Sequence, residues 1–358
     1  MDRNVCVLIP AYKPGMELLT LLKQIECETA YEIVVVDDGS GEEFKHIFQE
    51  AECINRVAVI SYPQNRGKGH ALKKGLKFCS EYFTAEHFSG VVTADADGQH
   101  LLKDIVLLGE ALETCGNKLV LGVRCFKNDV PLRSKMGNNI TIAVYRMASG
   151  MKISDTQTGL RGIPQNYIEE IIALEGERYE YEMNMLLALK ELGMEAMEIP
   201  IETVYIDDNS GSHFNTFTDS ARIYKLIIKK SQPIKYVLSA ISSFILDYII
   251  YSVILLFGLM SAANAQIPAR IISSVYNYFV NKSYVFENKD NSVKNHLFKG
   301  VGYFALVLFN LFIIARPINS ILIGWGVSEY LSQPIANVIQ FTVSYFIQKL
   351  FIFRKKSN

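Results

Sequence analysis

Short apolar runs and helical patterns alternate along the first part of the chain. "VCVLIPAY", "EIVVVDDGS", "RVAVISYPQ", "GVVTADAD" and "KLVLGVR" read as strands, each an apolar, β-branched run that gives way to polar residues. Between them "MELLTLLKQI", "GHALKKGLKFCSEYF" and "IVLLGEALE" repeat apolar residues at helical spacing, with Leu72, Leu76 and Cys79 on one face of the second. Strands alternating with helices predict an α/β fold: a parallel sheet covered by helices on both faces. Ligands of such sheets bind beyond the carboxyl ends of the strands. Polar residues gather at those ends: Asp37, Asp38, Asp95, Asp97 and Arg124.

The texture changes from Ile234. Tyr248 to Ala269 and Tyr330 to Gln348 contain no Asp, Glu, Lys or Arg, and Gly300 to Ala315 is a shorter apolar run. A span of about 20 apolar residues crosses a bilayer. Four transmembrane helices are therefore predicted, at about 235–258, 264–284, 299–320 and 332–353, the second interrupted by Pro268 and Arg270. The domains expected are 1–230, α/β, and 231–358, an all-α four-helix membrane domain. Residues 218–230, "TDSARIYKLIIKK", join an apolar stripe to a basic face. They suit a helix on the membrane surface or an ordinary docking helix.

Charge sharpens this division. Residues from Ser231 onward carry 11 Lys and Arg against 4 Asp and Glu, a formal +7, which leaves −8 of the chain's net −1 to the residues before them. Basic residues flank the spans at Lys229, Lys230 and Lys235, at Lys282, Lys289, Lys294 and Lys299, and at Lys349, Arg354, Lys355 and Lys356. The opposite loops carry only Arg316. Both termini are thus expected in the cytosol. All six cysteines precede Ser231, none at CxxC spacing, which fits reduced thiols and gives no zinc pattern. The first residues read as a strand rather than a secretory leader.

The chemistry begins with "TADADGQH". Asp95 and Asp97 repel each other unless a cation or strong donors sit between them. Mg²⁺ or Mn²⁺ takes oxygen ligands and completes its shell with substrate phosphates, and Gln99 and His100 are further candidates. A solvated turn and a phosphatase of the haloacid-dehalogenase pattern, DxDG[TV], are alternatives; Gln99 departs from the latter. In "VVVDDGSG" Asp37 and Asp38 could meet a base or ribose, or only form a turn. Pro10 and Tyr12 of "PAYKPG" could wall a nucleobase. "QNRGKGHALKKGL" opens a helix where phosphate can bind, without Walker spacing. "LGVRCFKNDVPLRSK" places Arg124, Arg133 and Lys135 where guanidinium groups could clamp an anion. "SDTQTGLRG" and "RYEYEMNMLL" add Asp155, Arg161, Tyr181 and Glu182, and "VYIDDNSGSHFN" adds His213 and Asn215.

Taken in order, "IPAYKPG", "VVVDDGS", "NRGKGHALKKG", "TADADGQH", "GVR" and "DTQTGLRG" resemble a family 2 glycosyltransferase of the polyprenyl-phosphate subgroup, over about residues 4 to 230. The remainder, with "RIISSVYNYFVNKSYVF", resembles a GtrA-like four-helix membrane domain. The resemblance implies a GT-A, Rossmann-like fold, and Mg²⁺ or Mn²⁺ with a diphosphate at Asp95, Asp97 and Gln99. It implies nucleotide contacts at Pro10, Tyr12, Asp38 and Ala96, and acceptor-phosphate contacts at Arg124 and Arg133 with Ser134 as helper. His213 would lie near the donor diphosphate. Lys13 and Pro14 stand where relatives often carry Glu, and the QxxRW motif of processive synthases is absent.

The expected partners are a UDP- or GDP-sugar, a polyprenyl phosphate such as undecaprenyl phosphate, and the cell membrane. No nucleic acid is expected, and a homo-oligomer is compatible with these features. Inverting transfer at the cytosolic face is the implied reaction. A transporter or flippase of a lipid-linked sugar, with the first domain as its partner, is the second reading. Asp247 and Arg270, in or near spans, are expected to pair.

Overall fold

In the computed structural model the described residues are 4–83, 88–124, 132–202, 218–260, 262–287, 293–309, 313–314, 316–327 and 329–353. The chain divides into two compact units, Met1–Lys230 and Ser231–Asn358. The first contains strands β1 (Asn4–Ala11), β2 (Glu32–Asp37), β3 (Val57–Ser61), β4 (Phe88–Thr93), β5 (Lys118–Arg124), β6 (Arg161–Pro164) and β7 (Glu195–Ile201). Its helices are α1 (Glu17–Glu28), α2 (Lys45–Glu52), α3 (Lys68–Tyr82), α4 (Leu102–Thr114), α5 (Leu132–Ser149), α6 (Ile168–Ile172), α7 (Glu180–Ala188) and α8 (Thr218–Lys230).

The seven strands form one sheet in the order β3-β2-β1-β4-β6-β5-β7. β3, β2, β1 and β4 are parallel neighbours, as the alternating pattern predicts. The sheet is nevertheless mixed, because β6 runs antiparallel to both β4 and β5, and β7 is parallel to β5 at the edge. β6 has only four residues, "RGIP", too few to show a period, and its Pro164 weakens any strand signal. β7 carries Pro200, which an edge strand tolerates.

Every residue of β4 is buried, and Val5 to Ile9 of β1 are buried without alternation, as expected of strands covered on both faces. α1 contributes Leu18, Leu22 and Ile25 to this core, and α4 contributes Ile105, Leu108 and Leu112. α3 lies so close to β1 that a Cβ on Gly75 would overlap Leu8. α8 buries Leu226 and Ile227 and packs on α5 and α7, so the docking reading of this segment describes its observed contacts.

The second unit contains α9 (Gln232–Leu256), α10 (Ala262–Val280), α11 (Val293–Phe309), α12 (Arg316–Gly324) and α13 (Glu329–Ile347). Among the described residues α9 alone is long and apolar enough to cross a membrane, with 25 residues and a mean hydropathy of 1.9. The span predicted at 299–320 covers the end of α11 and the start of α12. Pro317 suits the first turn of a new helix, where its missing N–H costs nothing.

α10 and α13 each run on into a π-helical turn, Asn281–Val285 and Gln348–Ile352. The turns close with Phe286 N–H to the Asn281 carbonyl at 2.9 Å and Phe353 N–H to the Gln348 carbonyl at 2.7 Å. These elements are a repeat with a shift of 67 positions: "YFVNKSYVF" starts at Tyr278 and "YFIQKLFIF" at Tyr345. The buried cluster of the unit is built from the same pairs: Tyr236 with Tyr303, Tyr278 with Tyr345, and Phe286 with Phe353.

Candidate functional site

Parallel pairing sets the ends of β1, β2 and β4 side by side. Ala11 faces Asp37 in the β1–β2 ladder, and the N–H groups of Asp38 and Ala94 continue it to the carbonyls of Ala11 and Leu8. Pro10, Tyr12, Asp38, Asp95, Ala96 and Asp97 therefore occupy neighbouring strand ends, the place the sequence pattern predicts for Asp38, Asp95 and Asp97.

Past β4 the chain turns through Gly98, at φ 74°, a conformation glycine adopts freely. Asp97 Oδ1 accepts the Gln99 N–H at 3.1 Å and fixes the turn. Asp95 is held by two partners. Lys68 Nζ, at the start of α3, lies 2.7 Å from Asp95 Oδ1 and 3.0 Å from Glu182 Oε2 of α7. His100 Nε2 lies 3.4 Å from Asp95 Oδ2. Burial works to raise the Asp95 pKa, but Lys68 and His100 outweigh it and hold the carboxyl below its usual range. Asp97 goes the other way: burial, then the Asp95 charge, push it up. Among the described residues no cation lies within ion-pair distance of Asp97.

Residues 155–161 close the other side. Thr93 Oγ1 donates to the Gly159 carbonyl at 2.8 Å, and a Cβ on Gly159 would overlap the Asp95 carboxylate. Arg161 is almost wholly buried (1% exposed). It donates to the carbonyls of Thr158 and Glu182, at 3.0 and 2.6 Å, while its Nη2 has no partner among the described residues. Burial lowers its pKa.

Two residues singled out in the sequence have partners within the protein. Asp38 is 3% exposed. Its carboxylate accepts the Tyr62 hydroxyl at 2.7 Å, Asn65 Nδ2 at 2.9 Å, and the N–H groups of Arg66 and Gly67, each at 2.8 Å. An anion just before the start of α3 is thus the protein's own Asp38. Asp38→Ala, by stranding these donors, is expected to lower the unfolding free energy by roughly 3 kcal/mol, checked by the thermal midpoint of the full chain.

Arg124, second, is paired within the protein. Its Nε and Nη2 meet the two oxygens of Asp155 at 2.6 and 2.9 Å, and Asp155 is fully buried. The side chains of Arg133, Ser134 and Lys135, and all of His213 and Asn215, lie outside the described residues. The expected pairing of Asp247 with Arg270 also falls on a side chain outside them; Asp247 Oδ1 accepts the Ser273 hydroxyl at 3.0 Å.

Comparison with known proteins now bears on this strand-end cluster. Glycosyl transferase family 2 matches residues 6–171, and the GtrA/DPMS transmembrane domain matches residues 235–353. An uncharacterized protein of Methanocaldococcus jannaschii is 31% identical over 63% of this chain and 92% of its own length. The chain belongs to glycosyl transferase family 2. Two further relatives of this glycosyltransferase have named activities. The UDP-N-acetylglucosamine–dolichyl-phosphate N-acetylglucosaminyltransferase of Methanococcus voltae is 27% identical, over 64% of this chain and 97% of its own. The dolichyl-phosphate beta-glucosyltransferase of Dictyostelium discoideum is 24% identical, over 62% and 72%. The first unit is an α/β domain on a mixed sheet, the second is GtrA-like, and the chain associates with membrane.

The donor set of this glycosyltransferase suits a hard cation. Among the described residues no three His, Cys, Asp or Glu side chains gather as a complete cage. Mg²⁺ needs none, since it commonly binds one or two carboxylates and takes its other oxygens from phosphates and water. Asp97, raised by burial and then by the Asp95 charge, fits that role, and Asp95 stands beside it. Gly159→Ala is expected to displace Asp95 from Lys68 and slow transfer by about a hundredfold, with the thermal midpoint lowered as well; paired rate and melting measurements check this.

Proposed function

We propose that this glycosyltransferase moves a sugar from a nucleotide-sugar to polyprenyl phosphate at the cytosolic face of the membrane, with inversion at the anomeric carbon. The observation that carries the reading is the cluster Lys68–Asp95–Asp97 at the adjoining strand ends, in a chain that also holds a membrane unit. The relatives from M. voltae and D. discoideum, named for transfer to dolichyl phosphate, support a lipid phosphate as acceptor. The first of them favours a UDP-sugar over a GDP-sugar.

Pro10, Tyr12 and Ala96 border the nucleotide in this reading, and Asp38 fixes the loop beside it. Asp97, with Asp95 and Gln99, would hold Mg²⁺ or Mn²⁺, which supplies positive charge to the departing nucleoside diphosphate. Lys68 keeps Asp95 ionised and in place through its 2.7 Å bond. A polyprenyl phosphate oxygen attacks the sugar C1 from the side opposite the leaving group; the C1–O bond to the diphosphate breaks and its electron pair leaves with the nucleotide. That phosphate is already anionic near neutral pH, so no general base is required, and catalysis is positioning and electrostatics. Arg124 and Arg133 orient the acceptor phosphate, with His213 near the donor diphosphate. The basic residues around the predicted spans support four crossings of the bilayer with both termini cytosolic.

The test is a panel of nucleotide-sugars offered to the full chain with undecaprenyl phosphate and Mg²⁺ or Mn²⁺. The expected product is a metal-dependent monoglycosylated lipid phosphate. Absence of glycolipid with every donor would overturn the reading.

A further inference from the structure

We propose that Glu182 is a positioning residue for the metal site: it gives the Lys68 ammonium a second carboxylate, so that a divalent cation can draw on Asp95 without stranding the lysine. That Asp95 and Asp97 take Mg²⁺ or Mn²⁺ rests on the proposed function; the grip of Glu182 on Lys68 does not.

Glu182 is the third residue of α7. An acidic residue in a first helical turn is already favoured by the N–H groups there and needs no partner across the fold. Here it has one. Lys68 Nζ lies 3.0 Å from Glu182 Oε2 while it holds Asp95 Oδ1 at 2.7 Å. The three side chains are largely withdrawn from water, at 16% exposed for Lys68, 12% for Glu182 and 30% for Asp95. Partly buried charges are screened far less than surface ones, so the choice of carboxylate matters to the ammonium.

The pair is not what docks α7 on α3. The His70 N–H donates to the Glu177 carbonyl at 2.9 Å. The Glu177 carboxylate meets His70 Nδ1 at 2.7 Å and Lys73 Nζ at 3.1 Å. The backbones are also in close contact: a Cβ on Gly67 would overlap the Glu177 carbonyl, and one on Gly69 would overlap Tyr181. Behind Glu182, Arg161 Nη1 donates to its backbone carbonyl at 2.6 Å. Glu182 is therefore placed by contacts that leave its carboxylate out. Among the described residues, the cation within ion-pair distance of that carboxylate is Lys68.

Lys68 has two opposed effects on a metal at Asp95. It holds the carboxylate in position, which helps. Its own charge lies 2.7 Å from the same oxygen and competes with a second cation, which hinders. An ammonium carries three donors and no acceptor. With Asp95 as its sole anion, Lys68 would be left uncompensated whenever a cation claimed Asp95, and an uncompensated buried charge is costly. Glu182 removes that cost, because the ammonium keeps a carboxylate however the Asp95 charge is shared. The Tyr179 ring, its centroid 5.9 Å from Nζ, adds a weaker cation–π partner. His100 Nε2, 3.4 Å from Asp95 Oδ2, steadies the carboxylate from its other side.

The test is a double-mutant cycle on metal affinity. Mn²⁺ alone is titrated into the full chain in phosphatidylcholine nanodiscs, and free Mn²⁺ is read by electron paramagnetic resonance. The chains are the wild type, Asp97→Asn, Glu182→Gln, Lys68→Met and the Lys68→Met/Glu182→Gln double variant, each checked for folding by its thermal midpoint. Lys68→Gln replaces Lys68→Met if the latter does not fold. Glu182→Gln is expected to weaken Mn²⁺ about tenfold when Lys68 is present and less than about twofold when it is absent. Loss of a charge that acts on the metal directly, or a general loosening of the fold, would give the same factor in both backgrounds. That result overturns the proposal, as does wild-type affinity in Glu182→Gln. Absence of Mn²⁺ binding in the wild type, or binding that Asp97→Asn retains, overturns the metal reading and this inference together. Binding that depends on Asp97 but shows equal Glu182→Gln factors overturns this inference alone.

Discussion

Asp97→Asn is expected to lower transfer by two to three orders of magnitude while making the metal-free protein more stable. Burial and the Asp95 charge raise the Asp97 pKa, so the folded state binds that proton more tightly than the unfolded chain does. Above the folded pKa the ionised carboxylate therefore costs stability, and the cost fades as pH falls through the folded value towards the unfolded one, about 3.9. An amide removes the charge. In EDTA the thermal midpoint of the variant should exceed that of the parent at neutral pH, and the two should converge in acid. Addition of Mg²⁺ or Mn²⁺ should raise the midpoint of the parent and leave the variant unmoved. Equal midpoints in EDTA across the pH range would show that Asp97 carries no electrostatic strain.

Asp155→Ala is expected to destabilise the first unit by about 3–5 kcal/mol, the usual cost of stripping one member from a buried ion pair. The Arg124 guanidinium would lose both oxygens that it now grips at 2.6 and 2.9 Å. Arg124→Lys tests the proposed acceptor contact. It keeps the charge but loses the two-pronged geometry, and is expected to raise KM for polyprenyl phosphate several times more than KM for the nucleotide-sugar. Unchanged KM values alongside a fallen thermal midpoint would make Arg124 a purely structural partner of Asp155.

The sequence is most explicit where the physics is local. β1, β2 and β4 are legible because "VCVLIP", "EIVVVD" and "SGVVT" are apolar runs that end in polar residues, and the same endings mark the site. β6 is not legible, since its pairing is dictated by neighbours on both sides rather than by four residues of its own. Lys68 shows the same limit. "NRGKG" suggests a phosphate loop, but only the fold brings Glu177, Glu182 and Asp95 around the helix it opens. In the membrane unit, apolar length alone suggests four plain spans. Two further signals were present: polar residues every fourth position, and "YFVNKSYVF" repeated as "YFIQKLFIF". Both are weak against a strongly hydrophobic background, and only the packed helices show that they fall on facing surfaces.

The reversed strand at the centre of the sheet has a consequence for synthesis on the ribosome. β4 and β5 precede β6 in the chain, yet each needs β6 beside it. Until Arg161–Pro164 has emerged, a nascent chain carries an apolar strand, Phe88–Thr93, whose outer row of N–H and C=O groups is unpaired. Such an edge readily recruits strands from other chains. Translation pauses or proteolytic nicks before Pro164 should therefore yield aggregates, whereas breaks beyond it leave β4 enclosed.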